Sequence, residues 1–315
     1  MAKQKIICVS FNCCIDRTLE LKSFQIGAVN KARYVSEQAT GKAVVIAYIL
    51  QFLGVPCEIY GFLWSDYKQK FYQRLQKVPN FMDVLEGRTR INTTIIDKEQ
   101  HTETIIREVG SGITESDFMS LIEKVVNVGR QNQYVVLSGS LPPGIPPTLL
   151  GEFVKRCKEK GMKVAVDSSG DALKCAVEAE PDMIKPNRDE LRDLVGHGVF
   201  DTLGITQAAD RLRYSHPGMD ILVSDGDNGC YFVSEQGRKH ALFEADFPID
   251  VKSTMGAGDA LLAGFIRGLY EDWAIDQCLR YAVRVATATL PCTNAGDMSK
   301  EILYKNPLNV KIDRK

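Results

Sequence analysis

Residues 251–269 read VKSTMGAGDALLAGFIRGL. A polar entry, Lys252-Ser253-Thr254, runs into Gly256-Ala257-Gly258, and Asp259 follows at once. Behind it, Leu261, Leu262, Phe265, Ile266 and Leu269 recur with the spacing of one helix face. The glycines therefore sit where a loop becomes a helix, and Asp259 falls in the first turn. Such a place offers unpaired backbone N–H groups and the positive end of the helix dipole. Gly256 and Gly258 carry no side chain that would keep a bulky anion from the backbone. The same field is expected to hold Asp259 ionised, ready to accept a proton near neutral pH. An anion cradle beside a base suits phosphoryl transfer to a hydroxyl. An isolated GAGD would more simply be a turn with an aspartate stabilising the helix start.

Other polar clusters follow strand-like runs. Lys5–Phe11 is a short apolar strand, and Asn12-Cys13-Cys14-Ile15-Asp16 is read as a loop off its end. Ligands of open α/β sheets bind outside the carboxyl ends of strands, so Asp16 is placed to accept hydrogen bonds from hydroxyls. Thr40-Gly41-Lys42 opens a helix that runs to Leu53 and closes at Gly54. The apolar strand Tyr134–Leu137 delivers SGSLPPG, from Ser138 through Ser140 to Gly144. Asp182–Ile184 leads into Lys185-Pro186-Asn187-Arg188-Asp189-Glu190. The spacing of Asn187 and Glu190 also fits a helix-capping box. Ile221–Ser224 leads into Asp225-Gly226-Asp227-Asn228-Gly229, which has the chemistry of a hairpin turn.

Taken together these strings resemble the PfkB-type sugar kinases of the ribokinase-like fold. STMGAGD followed by the AGF helix is similar to that family's C-terminal signature. Lys252, NCCID, TRIN (Thr89–Asn92) and SGSLPPG resemble the branch containing 1-phosphofructokinase and tagatose-6-phosphate kinase. The resemblance covers the chain from Asn12 to about Ala288. It implies ATP and Mg²⁺ as cofactors and a phosphorylated ketohexose, of the fructose 1-phosphate or tagatose 6-phosphate type, as acceptor. Asp259 would be the base, with Gly256, Ala257 and Gly258 as the anion hole. Asp16 and Gly41 would hold the sugar, and Arg90, Lys42 and Ser140 a phosphate already on it. A guanidinium at Arg90 suits bidentate recognition of phosphate; Arg107 is a second candidate. Lys185, Asn187, Ser224, Gly226, Gly229, Thr254 and Gly258 would meet the nucleotide. Asn187 and Glu190 would serve the metal, because oxygen ligands suit Mg²⁺. Ile275–Leu290 would be a helix walling the adenine pocket.

The chain departs from the family's GGKGxN motif. Gly41 and Lys42 are kept, while Thr40, Ala43 and Val45 stand in place of Gly, Gly and Asn. Losing the Asn removes a donor and an acceptor for sugar hydroxyls. NCCID also lacks the proline of NPAID, and Asp225 stands where the nucleotide turn usually has Leu. Two other readings thus stay open: a kinase for a non-phosphorylated sugar or a nucleoside, and a non-catalytic sugar or nucleotide sensor of the same fold.

Strands and helices alternate from Cys57 onward, which predicts a three-layer, doubly wound, mostly parallel sheet. Leu19–Glu37 and Arg88–Arg107 interrupt that rhythm, with a turn at Asp97-Lys98-Glu99-Gln100. These segments, about 17–38 and 88–108, are expected to form a small β-sheet lid on one kinase domain spanning 1–315. A homodimer through the lid is implied by the resemblance.

Of the 315 residues 44% are apolar and 25% charged, with a formal net charge of -1. This composition gives no basis for a nucleic-acid or membrane-surface partner. No apolar run has transmembrane length and MAKQKIICVSFN lacks a signal-peptide pattern, so a cytoplasmic protein is expected. The nine cysteines are scattered without a CxxC or Cys/His cluster, as expected of reduced, mostly buried thiols. GxGxxG and GxxxxGK[ST] are both absent.

Overall fold

A computed structural model describes residues 3–244, 249–304 and 309–314. Its strands are β1 Ile6–Ser10, β2 Cys14–Leu21, β3 Tyr34–Thr40, β4 Cys57–Trp64, β5 Asp83–Leu85, β6 Arg90–Asp97, β7 Thr102–Arg107, β8 Tyr134–Ser138, β9 Lys163–Asp167, β10 Met183–Ile184, β11 Asp220–Ser224, β12 Cys230–Ser234, β13 Gly237–Glu244 and β14 Asn309–Arg314. The helices are α1 Lys42–Phe52, α2 Lys68–Arg74, α3 Glu115–Val128, α4 Thr148–Glu159, α5 Gly170–Glu178, α6 Arg188–Val195, α7 His197–Ser215, α8 Ala257–Tyr270, α9 Ile275–Thr289 and α10 Lys300–Tyr304.

The main sheet has ten strands in the order β14-β13-β12-β11-β10-β9-β8-β1-β4-β5. From β11 to β5 neighbours run parallel, while β12, β13 and β14 are antiparallel additions at one edge. The parallel strands are buried on both faces, which explains their unbroken apolar runs. Alternation sorts them into two cores: Ile6, Cys8 and Val136 pack with α1, α8 and α9 on one face, and Ile7, Val9, Val135 and Leu137 pack with α3 to α7 on the other. All nine cysteines are free, and seven are buried among these layers.

α8 differs from the amphipathic helix that its spacing suggests. Its residues from Ala260 to Ile266 are all buried, because the helix lies between α1 and α9. Gly264 and Gly268 permit this: an added Cβ would come within 2.8 Å of Ala282 Cα and 2.6 Å of Cys278 Sγ.

β1 lies between β4 and β8, so the connections diverge at the carboxyl ends of β1 and β8 and leave a crevice there. The ends of β9, β10 and β11 continue the same rim. A separate sheet of four strands, ordered β3-β2-β6-β7, stands above it. β2 pairs with β6 in parallel, and β3 and β7 flank them antiparallel. Asp97 ends β6, where its carboxylate accepts the N–H groups of Glu99, Gln100 and Phe24. Among the described residues, no helix is long and apolar enough to cross a membrane.

Candidate active site

A cavity of about 560 Å³ opens along the rim. One end is polar, with Lys42, Lys185, Asn187, Glu190, Thr254, Gly256, Ala257, Gly258 and Asp259. Ser224, Gly226 and Gly229 line it from the β11–β12 turn. Leu242, Leu261, Val283, Ala286 and Leu290 supply the cavity's apolar lining, with Thr287 among them. Segments from six parts of the sequence therefore meet in one place.

The Gly-rich loop ends at Gly256, which caps α8 in the left-handed conformation, φ 79°. That conformation favours glycine. Thr254 accepts the N–H of Ala257 at 3.2 Å. Ala257 is thus satisfied by its own loop, contrary to its expected place in the anion hole. The N–H groups of Gly258 and Asp259, one step further into the first turn, have no carbonyl a turn below them within the helix. Lys185 is almost fully buried beside them; a Cβ on Gly258 would sit 3.5 Å from its Nζ.

The Asp259 carboxyl corrects a second expectation. The helix start does not hold it low; its pKa is raised to about 7. Burial is the main cause, the charge of Asp167 adds to it, and Lys42 and Lys185 pull the other way. Helix-dipole stabilisation is modest and fades within a turn, so desolvation among other carboxylates wins.

Asp167, at the end of β9, is fully buried. Its Oδ1 accepts Lys42 Nζ at 2.7 Å and faces Lys185 Nζ at 3.4 Å. Burial works to lower Lys42, but Asp167, Asp259 and Glu190 together hold it above the usual lysine range. Lys42 therefore sits against Asp167 on the cavity wall, at the same end as Lys185 and Asp259. Sequence reasoning gave Asp167 no role, since it earns one only from lysines arriving from two remote helix and strand ends.

Asn187 and Glu190 form the capping box of α6. Asn187 Oδ1 accepts the Glu190 N–H and Glu190 Oε2 accepts the Asn187 N–H, both at 2.8 Å. Glu190 Oε1 is left without a protein partner among the described residues. Asp225, whose direction the sequence leaves open, is turned inward: it is buried, accepts Asn228 Nδ2 at 3.1 Å and pairs with Arg188 at 3.4 Å. Gly229 lets the turn lie against β13, since a Cβ there would fall 2.2 Å from Ala241 O.

Asp16, Gly41, Arg90 and Ser140 lie outside the walls of that cavity. Asp16 is in β2 rather than in a loop, because pairing with β3 and β6 begins as early as Cys14. It is nonetheless close enough for its charge to raise Asp259. Gly41, φ 126°, caps α1 where a Cβ would press 3.0 Å from Cys13 Cα. Arg90 Nη2 donates to Asn12 O at 3.0 Å, and Arg90 Nε is buried without a partner among the described residues. Asn12 in turn reaches Leu141 O at 3.5 Å, which ties the Arg90 group to the SGSLPPG loop. Ser140 on that loop is exposed, and so is Arg107 on β7. Thr94 of β6 lies 3.9 Å from Met255 Sδ, so the small sheet touches the Gly-rich loop.

Val45, at the altered position of the GGKGxN-like segment, is buried and packs toward Gly296, where a Cβ would meet Val45 Cγ1 at 3.1 Å. The 295–296 turn in turn backs Gly256, whose absent Cβ would lie 3.1 Å from Ala295 Cβ.

Residues 7–302 match the model of the family described as pfkB family carbohydrate kinase. The chain is 30% identical over 295 residues to a 1-phosphofructokinase of Vibrio cholerae, covering 93% of this chain and 91% of that one. It is 26% identical over 312 residues to a 1-phosphofructokinase of Bacillus subtilis, covering 98% and 99%. Among solved structures it is similar to phosphofructokinase-2 of Escherichia coli, with a TM-score of 0.84 at 20% identity over 96% and 97% of the two chains. A possible 1-phosphofructokinase of Thermotoga maritima superposes with a TM-score of 0.81 at 22% identity over 99% and 100%. These likenesses confirm the ribokinase-like α/β fold. The chain belongs to the pfkB family of carbohydrate kinases.

Proposed function

We propose that this protein transfers the γ-phosphoryl group of ATP to a hydroxyl of a phosphorylated ketohexose, of the fructose 1-phosphate or tagatose 6-phosphate type. The observation that carries this reading is the place of Asp259, in the first turn of α8 on the cavity wall with Lys42 and Lys185, its carboxyl raised toward neutral pH by burial and by the charge of Asp167. A base poised near the working pH is the one that general-base catalysis favours. Its relatives named 1-phosphofructokinase support the acceptor class.

The nucleotide base lies against the apolar lining at Val283, Ala286 and Leu290, and the phosphates lie toward Lys185 and the start of α8. The N–H groups of Gly258 and Asp259 stabilise charge on the transferring group; one such donor typically contributes about 10²–10³ in rate. Asp259 removes the proton from the acceptor hydroxyl. Lys42 and Lys185, fixed by Asp167, offset negative charge around it. Mg²⁺ commonly binds one or two carboxylates together with substrate phosphates, and the uncommitted Glu190 Oε1 at the cavity wall fits that need. When bound, the ion neutralises phosphate charge. Asn187, its oxygen engaged in the helix cap, would act by holding Glu190 in place for the ion.

Asp16 and the Gly41 turn hold the sugar, and Arg90, with Ser140 across the crevice, takes its phosphate. Arg90 has the free buried Nε that this requires. We read the small sheet as the lid of one kinase domain. Its exposed Tyr34, Val35, Ile105 and Ile106 would meet the lid of a second copy.

The test is ADP release with ATP and Mg²⁺ over fructose 1-phosphate, tagatose 6-phosphate, fructose 6-phosphate, the free sugars and nucleosides. Turnover with a phosphosugar alone supports the reading. Preference for a free sugar or nucleoside refutes the phosphate clamp, and no turnover with any acceptor favours a sensor.

A further inference from the structure

The register of the small sheet places Gln38, Asp16 and Asn92 in one row across three strands. Asp16 stands opposite Gln38 in β3 and opposite Asn92 in β6. Side chains so placed share a face. Asn92 Nδ2 donates to Asp16 Oδ1 at 3.0 Å and to Cys14 Sγ at 3.2 Å. The orientation of the amide is fixed by this contact, because turning it over would set two oxygens against each other. Asp16 Oδ2 is left without a partner among the described residues. Asn92 Oδ1 is buried and has no partner among the described residues. An amide oxygen withdrawn from water without a donor is costly, so a donor supplied by a ligand would be favoured there. Two residues further along β6, on the same face, Thr94 meets Met255 beside Gly256. The row therefore lies on the face of the sheet that looks toward the Gly-rich loop.

We propose that Asn92 is a positioning and specificity-determining residue for the acceptor. This inference rests on the reading of the protein as a sugar kinase but not on which sugar it takes. Asn92 holds one oxygen of Asp16 so that the other is presented to a sugar hydroxyl, and its own carbonyl accepts from a neighbouring hydroxyl as the acceptor enters. It thereby supplies the carboxamide that Val45, packed against Gly296, does not. The partner chemistry is a polyol with two adjacent hydroxyls.

The experiment uses Asn92→Asp, nearly isosteric but setting a second carboxylate against Asp16 in place of the amide, and Asn92→Thr, which keeps one donor and suits a strand. Kinetics are measured with the acceptor that the wild-type enzyme uses best. Asn92→Asp is expected to raise the acceptor KM on the order of tenfold or more, the scale of an unpaired polar group in a sugar site. The ATP KM should stay within about twofold, and Asn92→Thr should recover part of the loss. The ratio of kcat/KM between epimeric acceptors should also change. An acceptor KM moved less than twofold overturns the proposal. So does a parallel change in both KM values with a lowered Tm, which would mark Asn92 as merely structural. If the wild-type enzyme prefers a free sugar, the phosphosugar reading fails while the Asn92 test stands on that acceptor.

Discussion

Lys42 and Asp167 are 125 positions apart in sequence and 2.7 Å apart in space, Nζ to Oδ1. The contact joins the start of α1 to the end of β9, and Lys185 shares the same carboxylate at 3.4 Å. One buried carboxylate thus holds two cations beside Asp259. Removing its charge leaves the nearly buried Lys185 with only the Asp259 charge to offset it, a loss of about 3 kcal/mol for such pairs. Asp167→Asn is expected to lower Tm by several degrees and to raise the ATP KM. Thermal melts and initial-rate kinetics check both, and an unchanged ATP KM would detach Asp167 from the nucleotide end.

The pH dependence follows from Asp259. If Asp259 is the base proposed above, it acts ionised, so kcat/KM should rise with pH and reach half its plateau near the pKa of about 7. Stability should respond in the opposite sense. Between the ordinary 3.8 and about 7 the folded state holds this proton more tightly than the unfolded chain does. The group's contribution to stability therefore falls as pH rises through that window. Asp259→Asn should melt above wild type at pH 8, and the gap should close below the ordinary carboxyl pKa. Melting curves at the two extremes measure it.

Gly256 tests the loop geometry. Its left-handed φ of 79° and the 3.1 Å distance its Cβ would have to Ala295 Cβ both oppose a side chain. Gly256→Ala is expected to cost about 1–2 kcal/mol in backbone strain alone. It should also tilt the first turn of α8 and lower kcat more than it raises KM, which steady-state kinetics will separate.

Arg90 tests the acceptor phosphate. Hydrogen bonds to charged groups contribute about 1.5–3 kcal/mol. Arg90→Met should raise KM for a phosphorylated acceptor by roughly tenfold or more while ATP binding is retained. An equal loss with phosphorylated and free sugars would point to the Asn12 contact instead.

Much of this site is legible in the sequence because its signals are local. The Gly256–Asp259 string, the capping spacing of Asn187 and Glu190 and the apolar strands before each polar cluster need no knowledge of distant residues. Asp16 is less legible: the loop expected after β1 is only a short link, and strand pairing to β3 and β6 captures the aspartate. The full burial of α8 is written in the spacing of Gly264 and Gly268, but only the position of α9 gives that spacing its meaning. The Asp259 pKa depends on charges from β9, α1 and the segment after β10, so the first turn alone misleads. Asp167 is the clearest case, since nothing near it in sequence announces two lysines.

Whether Asp259 is the base in phosphoryl transfer is tested most directly by ADP formation by Asp259→Asn with the acceptor that the wild-type enzyme uses best. Loss of a general base typically costs about 10²–10⁴ in rate. The variant should lose at least that much in kcat and still bind ATP within a few-fold of wild type by equilibrium titration. Turnover equal to wild type, with ATP bound as well, would contradict the assignment.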